Sequence, residues 1–424
     1  MKIGYLIAQY PAVNHTYILR EVLSLRRSGF DVMAVSVRQP DRSAKSLSQE
    51  EASEESRTFS VLGAGVWHAF TVNLRVFARH PVCYLRGIAY AWALTRGTPK
   101  LLVSYTVYFI EAVVAGHYFA SRGVRTIHTH FASTVLLLLS RVFPIRYSMT
   151  LHGSGEFVDV AGFHLAEKVR RAQFVVTISH FGRSQVMNAS DSGDWHKVVV
   201  LPLGVDTAEY APGPRQPREP GAPLRLISVG HLSPVKGYQL LIEAVQRLRG
   251  RGKRVELVIV GDGPSRGELE DLIARLRLEG VVRLAGACNH DRIPGYLGQS
   301  DIFALSSFLE GVPVVLMKAM AMELPCVATR ITGIPEIIED GIDGLLVPPG
   351  SVEHLAEAIE RLADDEALAR RLGAAGRAKV RARYDLGRNA ERLCEVFREQ
   401  WMPEGSKAAN VRAWSETECQ ERNL

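Results

Sequence analysis

The sequence predicts an α/β protein made of two doubly wound domains, each with a parallel sheet covered by helices on both faces. Short apolar strands alternate with amphipathic helices along most of the 424 residues, a pattern typical of parallel sheets. The alternation stops once, at APGPRQPREPGAP (211–223), where prolines remove amide donors and fix φ. A chain of this length can also bury two separate cores.

The first half contains the elements of one such domain, which we assign to residues 1–205. Its predicted strands are Ile3 to Ala8, Val32 to Val37, Thr126 to His130, Tyr147 to Leu151 and Phe174 to Ile178. Its predicted helices lie near His15 to Ser28, Ala132 to Val142 and Phe181 to Asn188.

The strand and helix alternation resumes after a proline-rich hinge over 206–223. Six further strands are predicted at LRLISVG (224–230), VELVIVG (255–261), VRLAG (282–286), DIFAL (301–305), CVAT (326–329) and GLLV (344–347). We assign 224–383 to the second domain. Residues 384–403 are predicted to be a helix, whose return to the first domain is a hypothesis, and 404–424 a polar, frayed tail.

Composition excludes several classes of protein. With 47% hydrophobic and 23% charged residues, wholesale disorder is excluded. The opening MKIGYLIAQYPAV has an apolar run too short and too interrupted for a secretion signal, so we expect a core strand and a cytoplasmic protein. The five cysteines show no zinc-site spacing, and no metal is predicted.

Charge is distributed unevenly around a net value of +6. Residues 61–110 contain no Asp or Glu, and their basic and aromatic residues alternate. The basic residues are Arg75, Arg79, Arg86, Arg96 and Lys100, and the aromatic ones include Trp67, Phe70, Phe77, Tyr84, Trp92, Tyr105 and Tyr108. Such a mixture suits a membrane surface, so 61–120 is interpreted as helices that lie on the inner face of the cell membrane.

The stretch Leu101 to Ala120 has about the length needed to cross a bilayer. Glu111 and His117 lie within it, and an ionisable side chain in mid-membrane is costly. A helix buried in the first domain is therefore favoured over a helix at the lipid surface, and both over a true span.

The loops after the second-domain strands carry the residues that suit an anionic ligand. Open α/β sheets bind ligands at the carboxyl ends of their strands, and helix N-termini there offer N–H groups and partial positive charge. Lys236, in the loop after the first of these strands, adds a full cation. A diphosphate fits best, although the sequence has neither the dinucleotide fingerprint nor a P-loop.

Four segments in order, GHLSPVKGYQLLIEA, VIVGDGP, FLEGVPVVLMKAMAMELPCVAT and GIPEII, resemble the second domain of retaining GT-B glycosyltransferases of family 4. In the first half, QYPAVNHTYILREVLSL, IHTHFA and TLHGSGEF are similar to segments of the exopolysaccharide and colanic-acid-type members. VVVLPLGVDTAEYAP looks like their hinge segment. The resemblance implies two Rossmann-like domains with a nucleotide-sugar donor between them. It also implies transfer of a hexose with retention, without a cofactor or an obligatory metal.

The resemblance assigns roles to particular residues. Lys236 is implied to contact the donor diphosphate, Glu310 to lie at the sugar as the first carboxylate of a Glu-x7-Glu motif, and His152 to lie beneath the sugar. The rest of the implied donor site is Gly230, His231, Asp262, Gly263, Gly311, Val312, Lys318, Gly333 and Ile334. His231 stands where the family usually has arginine, and an imidazole is a poorer phosphate ligand than a guanidinium.

Lys318 occupies the place of the second carboxylate, which in the family accepts hydrogen bonds from ribose hydroxyls. A lysine has three donors and no acceptor, so it cannot repeat that role. Three interpretations stay open: a tolerated divergence, a weakened or inactive enzyme, and an altered nucleotide preference.

Two further groups in the first domain have alternative interpretations. Asn14, His15 and Thr16 lie at the first βα turn, where they either meet an acceptor or cap a helix that carries Glu21 on its solvated face. His128 and His130 are either site residues or buried residues at a strand end, and the second is favoured.

The expected acceptor is a lipid-linked oligosaccharide at the inner membrane face, in exopolysaccharide or lipopolysaccharide assembly. One rival is an isomerase similar to UDP-N-acetylglucosamine 2-epimerase, which has the same two-domain plan. The other is a transferase relative that only binds, for which Lys318 is the best support. No nucleic-acid motif is present.

Overall fold

The computed structural model describes residues 1–12, 16–40, 47–153, 155–213 and 221–401. The chain forms two compact units. The first unit comprises Met1–Ile178, Gly182–Leu201 and the chain from Ala390, and the second comprises Ser179–Phe181 and Pro202–Asn389. Each unit contains one parallel sheet with helices packed on it, which confirms the predicted fold class.

The first unit has a seven-stranded parallel sheet with the order β3-β2-β1-β4-β5-β6-β7. Its strands are β1 Lys2–Gln9, β2 Asp31–Arg38, β3 Phe59–Ser60, β4 Thr126–His130, β5 Arg146–Leu151, β6 Phe174–Thr177 and β7 Val198–Val200. The strand order reverses between β1 and β4, so this is the switch point, where loops from the carboxyl ends of neighbouring strands diverge and leave a crevice.

Eight α-helices begin within the described residues of this part of the chain. They are α1 Thr16–Arg27, α2 Gln49–Arg57, α3 Val66–Arg79, α4 Pro81–Leu94, α5 Pro99–Ala120, α6 Ser133–Val142, α7 Leu165–Arg171 and α8 His180–Ala189. Side-chain alternation along β1 separates the two cores: Leu6 packs with α5 and α6, whereas Ile3, Tyr5 and Ile7 pack with α1 on the opposite face.

Helices α3, α4 and α5 form one insertion between β3 and β4. Within the described part of the chain, α5 alone is long and apolar enough to cross a bilayer. The second half of α5, from Phe109 to Phe119, is packed in the core against α6. This burial is typical of a core helix. The basic side chains predicted to face a membrane, Arg75, Arg79, Arg86, Arg96 and Lys100, are all exposed.

The second unit has a six-stranded parallel sheet with the order β10-β9-β8-β11-β12-β13. Its strands are β8 Leu224–Val229, β9 Val255–Val260, β10 Val282–Gly286, β11 Ile302–Leu305, β12 Cys326–Thr329 and β13 Leu345–Val347. All six coincide with predicted strands. The switch point lies between β8 and β11, whose carboxyl-end loops therefore meet.

The helices of this part are α9 Tyr238–Gly250, α10 Arg266–Arg275, α11 Ile293–Gly298, α12 Val314–Ala321, α13 Ile334–Ile337, α14 Val352–Asp364 and α15 Glu366–Arg383. A last helix, α16, spans Leu386–Trp401. Its Leu393, Phe397 and Trp401 are buried in the first unit, on the same face of the sheet as α1.

Candidate active site

Lys236 and Glu310 meet at the switch point of the second unit. Lys236 ends a short 3-10 turn after β8, and Glu310 lies in the loop after the neighbouring strand β11. The Lys236 Nζ donates to Glu310 Oε1 at 2.6 Å, and the Ser307 hydroxyl donates to the same oxygen at 2.7 Å. The carboxylate is buried. Two of the charged residues predicted for the donor site, Lys236 and Glu310, are therefore joined by a hydrogen bond.

Gly237 allows this approach of the two loops. Its φ is +60°, and a Cβ at this position would clash with the carbonyl oxygen of Ser306. The Ser306 hydroxyl donates in return to the carbonyl oxygens of Lys236 and Gly237, at 3.1 and 2.9 Å. A larger residue at 237 would push the lysine loop away from the glutamate loop.

The EGVP and GIPE loops, which follow β11 and β12, also come together. A Cβ on Gly333 would lie 2.5 Å from the Gly311 carbonyl oxygen and 3.1 Å from Val312 Cγ2. The Ile334 N–H donates to the Ile331 carbonyl at 3.0 Å, so it already has a partner within its own turn. The donor-site role predicted for Gly311, Val312, Gly333 and Ile334 stays a prediction.

The loops after β8 and β9 pack backbone against backbone. A Cβ on Gly263 would clash with the Leu232 carbonyl oxygen and would lie 2.8 Å from His231 Cε1. The Leu232 N–H donates to the Asp262 carbonyl at 3.0 Å. Gly230, His231, Asp262 and Gly263 therefore share the carboxyl edge of the sheet with Lys236, as expected of loops that follow parallel strands.

Lys318 has different partners. It lies on α12, is only 7% exposed, and places Nζ 2.7 Å from His290 Nδ1 and 4.8 Å from the centre of the Tyr210 ring. Burial lowers the pKa of its amine to about 8, although the nearby Glu209 and Cys288 act in the opposite direction. His290 belongs to no quoted motif, and Tyr210 lies in the hinge segment VVVLPLGVDTAEYAP without having been assigned a role there.

His152 follows β5 in the first unit. Its backbone N–H and that of Gly153 donate to one carboxylate oxygen of Glu156, at 2.7 and 2.9 Å. Its ring nitrogen Nε2 lies 2.9 Å from His130 Nδ1, and His130 Nε2 lies 3.1 Å from Glu21 Oε1. The Glu21 side chain is 13% exposed, so it belongs to this buried network and the solvated helix face expected as an alternative is wrong.

His128 occupies the strand position two residues before His130 and is fully buried. Its ring nitrogens lie 2.7 Å from the Ser148 hydroxyl and 2.9 Å from the Thr150 hydroxyl. Burial, helped by the neighbouring His130 and His152, holds its pKa well below the usual value. His128 is therefore a neutral, hydrogen-bonded core residue.

Ligand atoms of Glu21, His128 and His130 lie within 4.8 Å of one another, close enough to hold a metal ion. Both His128 nitrogens already have hydroxyl partners, and the Glu21–His130 separation is that of a hydrogen bond. The group is therefore organised by hydrogen bonds. That no metal is required stays a prediction.

The predicted acceptor residues are described only in part. Asn14 and His15 lie outside the described residues. Thr16 is the first residue of α1. Contact of this turn with an acceptor stays a prediction.

Similarity to solved structures defines the fold more closely. The crystal structure of Anabaena HepE in complex with UDP matches with a TM-score of 0.69 and 19% identity, over 94% of this chain and 99% of that one. Two Rossmann-like units in this arrangement of elements define the GT-B fold of glycosyltransferases, as the sequence motifs implied.

Residues 213–379 match the family described as glycosyl transferases group 1. The putative teichuronic acid biosynthesis glycosyltransferase TuaC of Bacillus subtilis is 30% identical over 63% of this chain and 68% of its own length. The amylovoran biosynthesis glycosyltransferase AmsK of Erwinia amylovora is 26% identical over 94% of this chain and 99% of its own length. The chain belongs to the glycosyl transferases group 1 family and is a glycosyltransferase.

Proposed function

We propose that this enzyme transfers a hexose from a nucleoside-diphosphate sugar, with retention, to a lipid-linked oligosaccharide in the assembly of an exopolysaccharide or other cell-surface polysaccharide. The observation that carries the proposal is the Lys236–Glu310 pair at the switch point of the second unit. The naming of AmsK for amylovoran biosynthesis and of TuaC for teichuronic acid biosynthesis supports the product class. The UDP bound in HepE supports the donor class.

Lys236 and nearby amides stabilise the leaving group in this proposal. A lysine has three donors, so Lys236 can keep its bond to Glu310 while it donates to a phosphate oxygen of the departing nucleoside diphosphate. The amides of Gly311, Val312 and Gly333 donate further hydrogen bonds to the same phosphate group as its negative charge grows. Stabilising charge that develops in the transition state is usually the largest single contribution to catalysis of this kind. A phosphate oxygen takes the proton of the acceptor, so the reaction needs neither a metal nor a protein base.

Glu310 and His152 act on the sugar. The hydrogen bonds from Lys236 and Ser307 orient the Glu310 carboxylate. Its second oxygen then accepts a hydrogen bond from a sugar hydroxyl. The role of His152 at the sugar rests on the family resemblance of the TLHG loop and stays a proposal. Lys318 is a tolerated divergence in this scheme, because its amine is directed to His290 while the Lys236–Glu310 pair is intact.

The first unit is proposed to bind the inner membrane face through the insertion α3–α5. Its exposed apolar side chains include Trp67 (82% exposed) on α3 and Val103 (68%) on α5. The exposed basic side chains of the same insertion complement anionic head groups, since residues 61–110 contain no Asp or Glu. A protein held at this surface meets a lipid-linked acceptor there.

Calorimetric titration with UDP, GDP and ADP tests the donor proposal. We expect one nucleotide to bind the wild-type chain with micromolar affinity and the Lys236→Ala variant much more weakly. Binding that appears only in Lys318→Glu would instead show a damaged donor site and an inactive relative. A free sugar epimer formed from the nucleotide sugar without any acceptor would favour the isomerase.

Co-sedimentation with vesicles tests the membrane proposal. We expect binding that increases with the anionic lipid fraction and falls when Trp67 and Phe70 are replaced by serine. Replacing the exposed Trp195, which lies outside the insertion, is the matched control and should leave binding unchanged. Binding that ignores anionic lipid contradicts the proposal.

A further inference from the structure

Two exposed apolar residues border the Lys236–Glu310 pair of the second unit. Among the described residues of this unit, large apolar side chains are exposed at three positions: Val235 (43% exposed), Phe308 (48%) and Ile342 (50%). Ile342 precedes β13, at the amino end of that strand, whereas Val235 and Phe308 lie in the loops that follow β8 and β11. Single exposed apolar side chains are normal on a protein surface, but two of these three share the carboxyl edge of the sheet.

Hydrogen bonds hold the loops of Val235 and Phe308 together. The Phe308 N–H donates to the Val235 carbonyl at 2.7 Å, and the Lys236 amine donates to Glu310 at 2.6 Å. A Cβ on Gly237 would lie 3.3 Å from Phe308 Cε2, so the edge of the aromatic ring lies over this glycine. The exposed ring therefore has a fixed support, and a ligand that packs on it does not have to order the loops first.

Polar groups lie directly beside this apolar surface. The Lys236 side chain is 22% exposed and the Glu310 side chain 9%. A lysine has three donors, so two remain on Lys236 after its bond to the carboxylate. The same edge of the sheet thus combines an exposed aromatic ring with hydrogen-bonding groups of both charges, as binding sites for small molecules commonly do.

This combination suits a pyranose ring. A pyranose has hydroxyl groups around its rim, which need hydrogen-bond partners such as a carboxylate or an ammonium group. One face of the ring consists of C–H groups, which are apolar and slightly positive at hydrogen. The face of an aromatic ring is apolar and carries the negative part of the quadrupole, so the two faces are complementary.

We propose that Phe308, with Val235 beside it, forms a platform on which the C–H face of a pyranose ring packs while hydroxyls of the same ring meet Glu310 and Lys236. The place of the platform in a transfer reaction rests on the proposed function, whereas its binding of a sugar ring does not. The ring is that of the donor hexose or that of the acceptor saccharide, which present the same chemistry, and the experiments below separate the two.

Saturation-transfer difference NMR tests the contact directly. The probes are the methyl α-glycosides of glucose, mannose and galactose, together with UDP-glucose, GDP-mannose and ADP-glucose, and saturation is applied at the aromatic resonances of the protein. We expect C–H protons of one ring face to receive saturation from wild type and from Phe308→Trp, and to lose most of it in Phe308→Ser. Ring protons that receive no saturation in any probe, or equal saturation in Phe308→Ser, overturn the proposal.

Ile342→Ser is the matched control for Phe308→Ser. It removes an apolar side chain of similar exposure from the same unit, but from the amino end of β13. The Phe308 side chain is exposed and its backbone bond to Val235 does not depend on it, so we expect both variants to fold. Sugar contacts should be unchanged in Ile342→Ser, and an equal loss in the two variants overturns the proposal.

Calorimetry with UDP and UDP-glucose, GDP and GDP-mannose, and ADP and ADP-glucose identifies the source of the ring. If it is the donor hexose, Phe308→Ser weakens the nucleotide sugar by about 3- to 10-fold, the range typical of one aromatic contact, and leaves the matching nucleoside diphosphate unchanged. If it is the acceptor saccharide, both ligands keep their wild-type affinity while the NMR contacts of the methyl glycosides are lost. Either result supports the platform.

Two other calorimetric results separate this proposal from the proposed function. Equal weakening of the nucleotide sugar and its nucleoside diphosphate in Phe308→Ser indicates stacking on the base or a general disturbance, and overturns the platform. If none of the six ligands binds wild type while the glycoside contacts depend on Phe308, the donor function is refuted and the sugar platform stands.

Discussion

Lys318→Met should stabilise the second unit at neutral pH. Lys318 is 7% exposed, and burial lowers the pKa of its amine from 10.5 to about 8. That lowering corresponds to about 3 kcal/mol by which folding disfavours the protonated amine. The hydrogen bond to His290 and the contact with the Tyr210 ring are lost with the lysine, so we expect a net gain of about 1–3 kcal/mol in the free energy of unfolding at pH 7.

The pH dependence separates this explanation from better packing by methionine. Between the folded pKa of about 8 and the unfolded pKa of 10.5, the unfolded chain binds more protons than the folded chain. The stability of the wild-type unit therefore rises with pH in this window. The advantage of Lys318→Met should be full at pH 7 and reduced to about half or less at pH 9.5.

The assay must report on the second unit alone, since a two-domain chain need not unfold in one step. All five tryptophans lie outside residues 202–389, so their fluorescence does not report on it. Pulsed hydrogen exchange in guanidinium chloride, followed by mass spectrometry of peptides from α12 and β12, provides the unfolding curve.

Lys379→Met is the control variant. The Lys379 amine lies 2.9 Å from the buried Asp343 carboxylate, so its removal leaves a buried charge unpaired and should destabilise the unit. A Lys318→Met variant that is less stable than wild type at pH 7 refutes the reasoning. So does a stability difference that is the same at pH 7 and pH 9.5.

Three further outcomes are expected. Lys236→Ala should lower the transfer rate by about 10²–10³, since it removes a donor to the leaving group, and near-normal turnover in a steady-state assay would contradict the assignment. Gly237→Ala should destabilise the protein by about 1–3 kcal/mol, because a Cβ there clashes with Ser306 and φ is +60°; an unchanged melting temperature would contradict this. Lys168, fully buried in the first unit, has a pKa lowered by burial to about 7, so stability of that unit by tryptophan fluorescence should rise from about pH 7 to 10.5 in wild type and less in Lys168→Met.

Local patterns were sufficient for much of the second unit. Its six strands follow from short apolar runs bounded by glycine and polar residues, which determine local structure directly. Lys236 was found because it lies in a loop after a strand, and strand ends in a parallel sheet share one edge. Glu310 was assigned from the resemblance of its segment to the family motif. Strands β3 and β7 were not predicted, since two or three residues are too few to show periodicity.

The sequence by itself determined the fold class, the group 1 glycosyltransferase motifs and the edge of the sheet at which the donor loops lie, because these depend on spacing along the chain. Only the tertiary structure decided which ionisable side chains lie within hydrogen-bond distance of each other. Glu21 and His130 are 109 positions apart, and Lys318 and His290 are 28 apart. The fold brings each pair together, and hydrogen-bond partners so distant in the chain leave no local pattern in the residues around them.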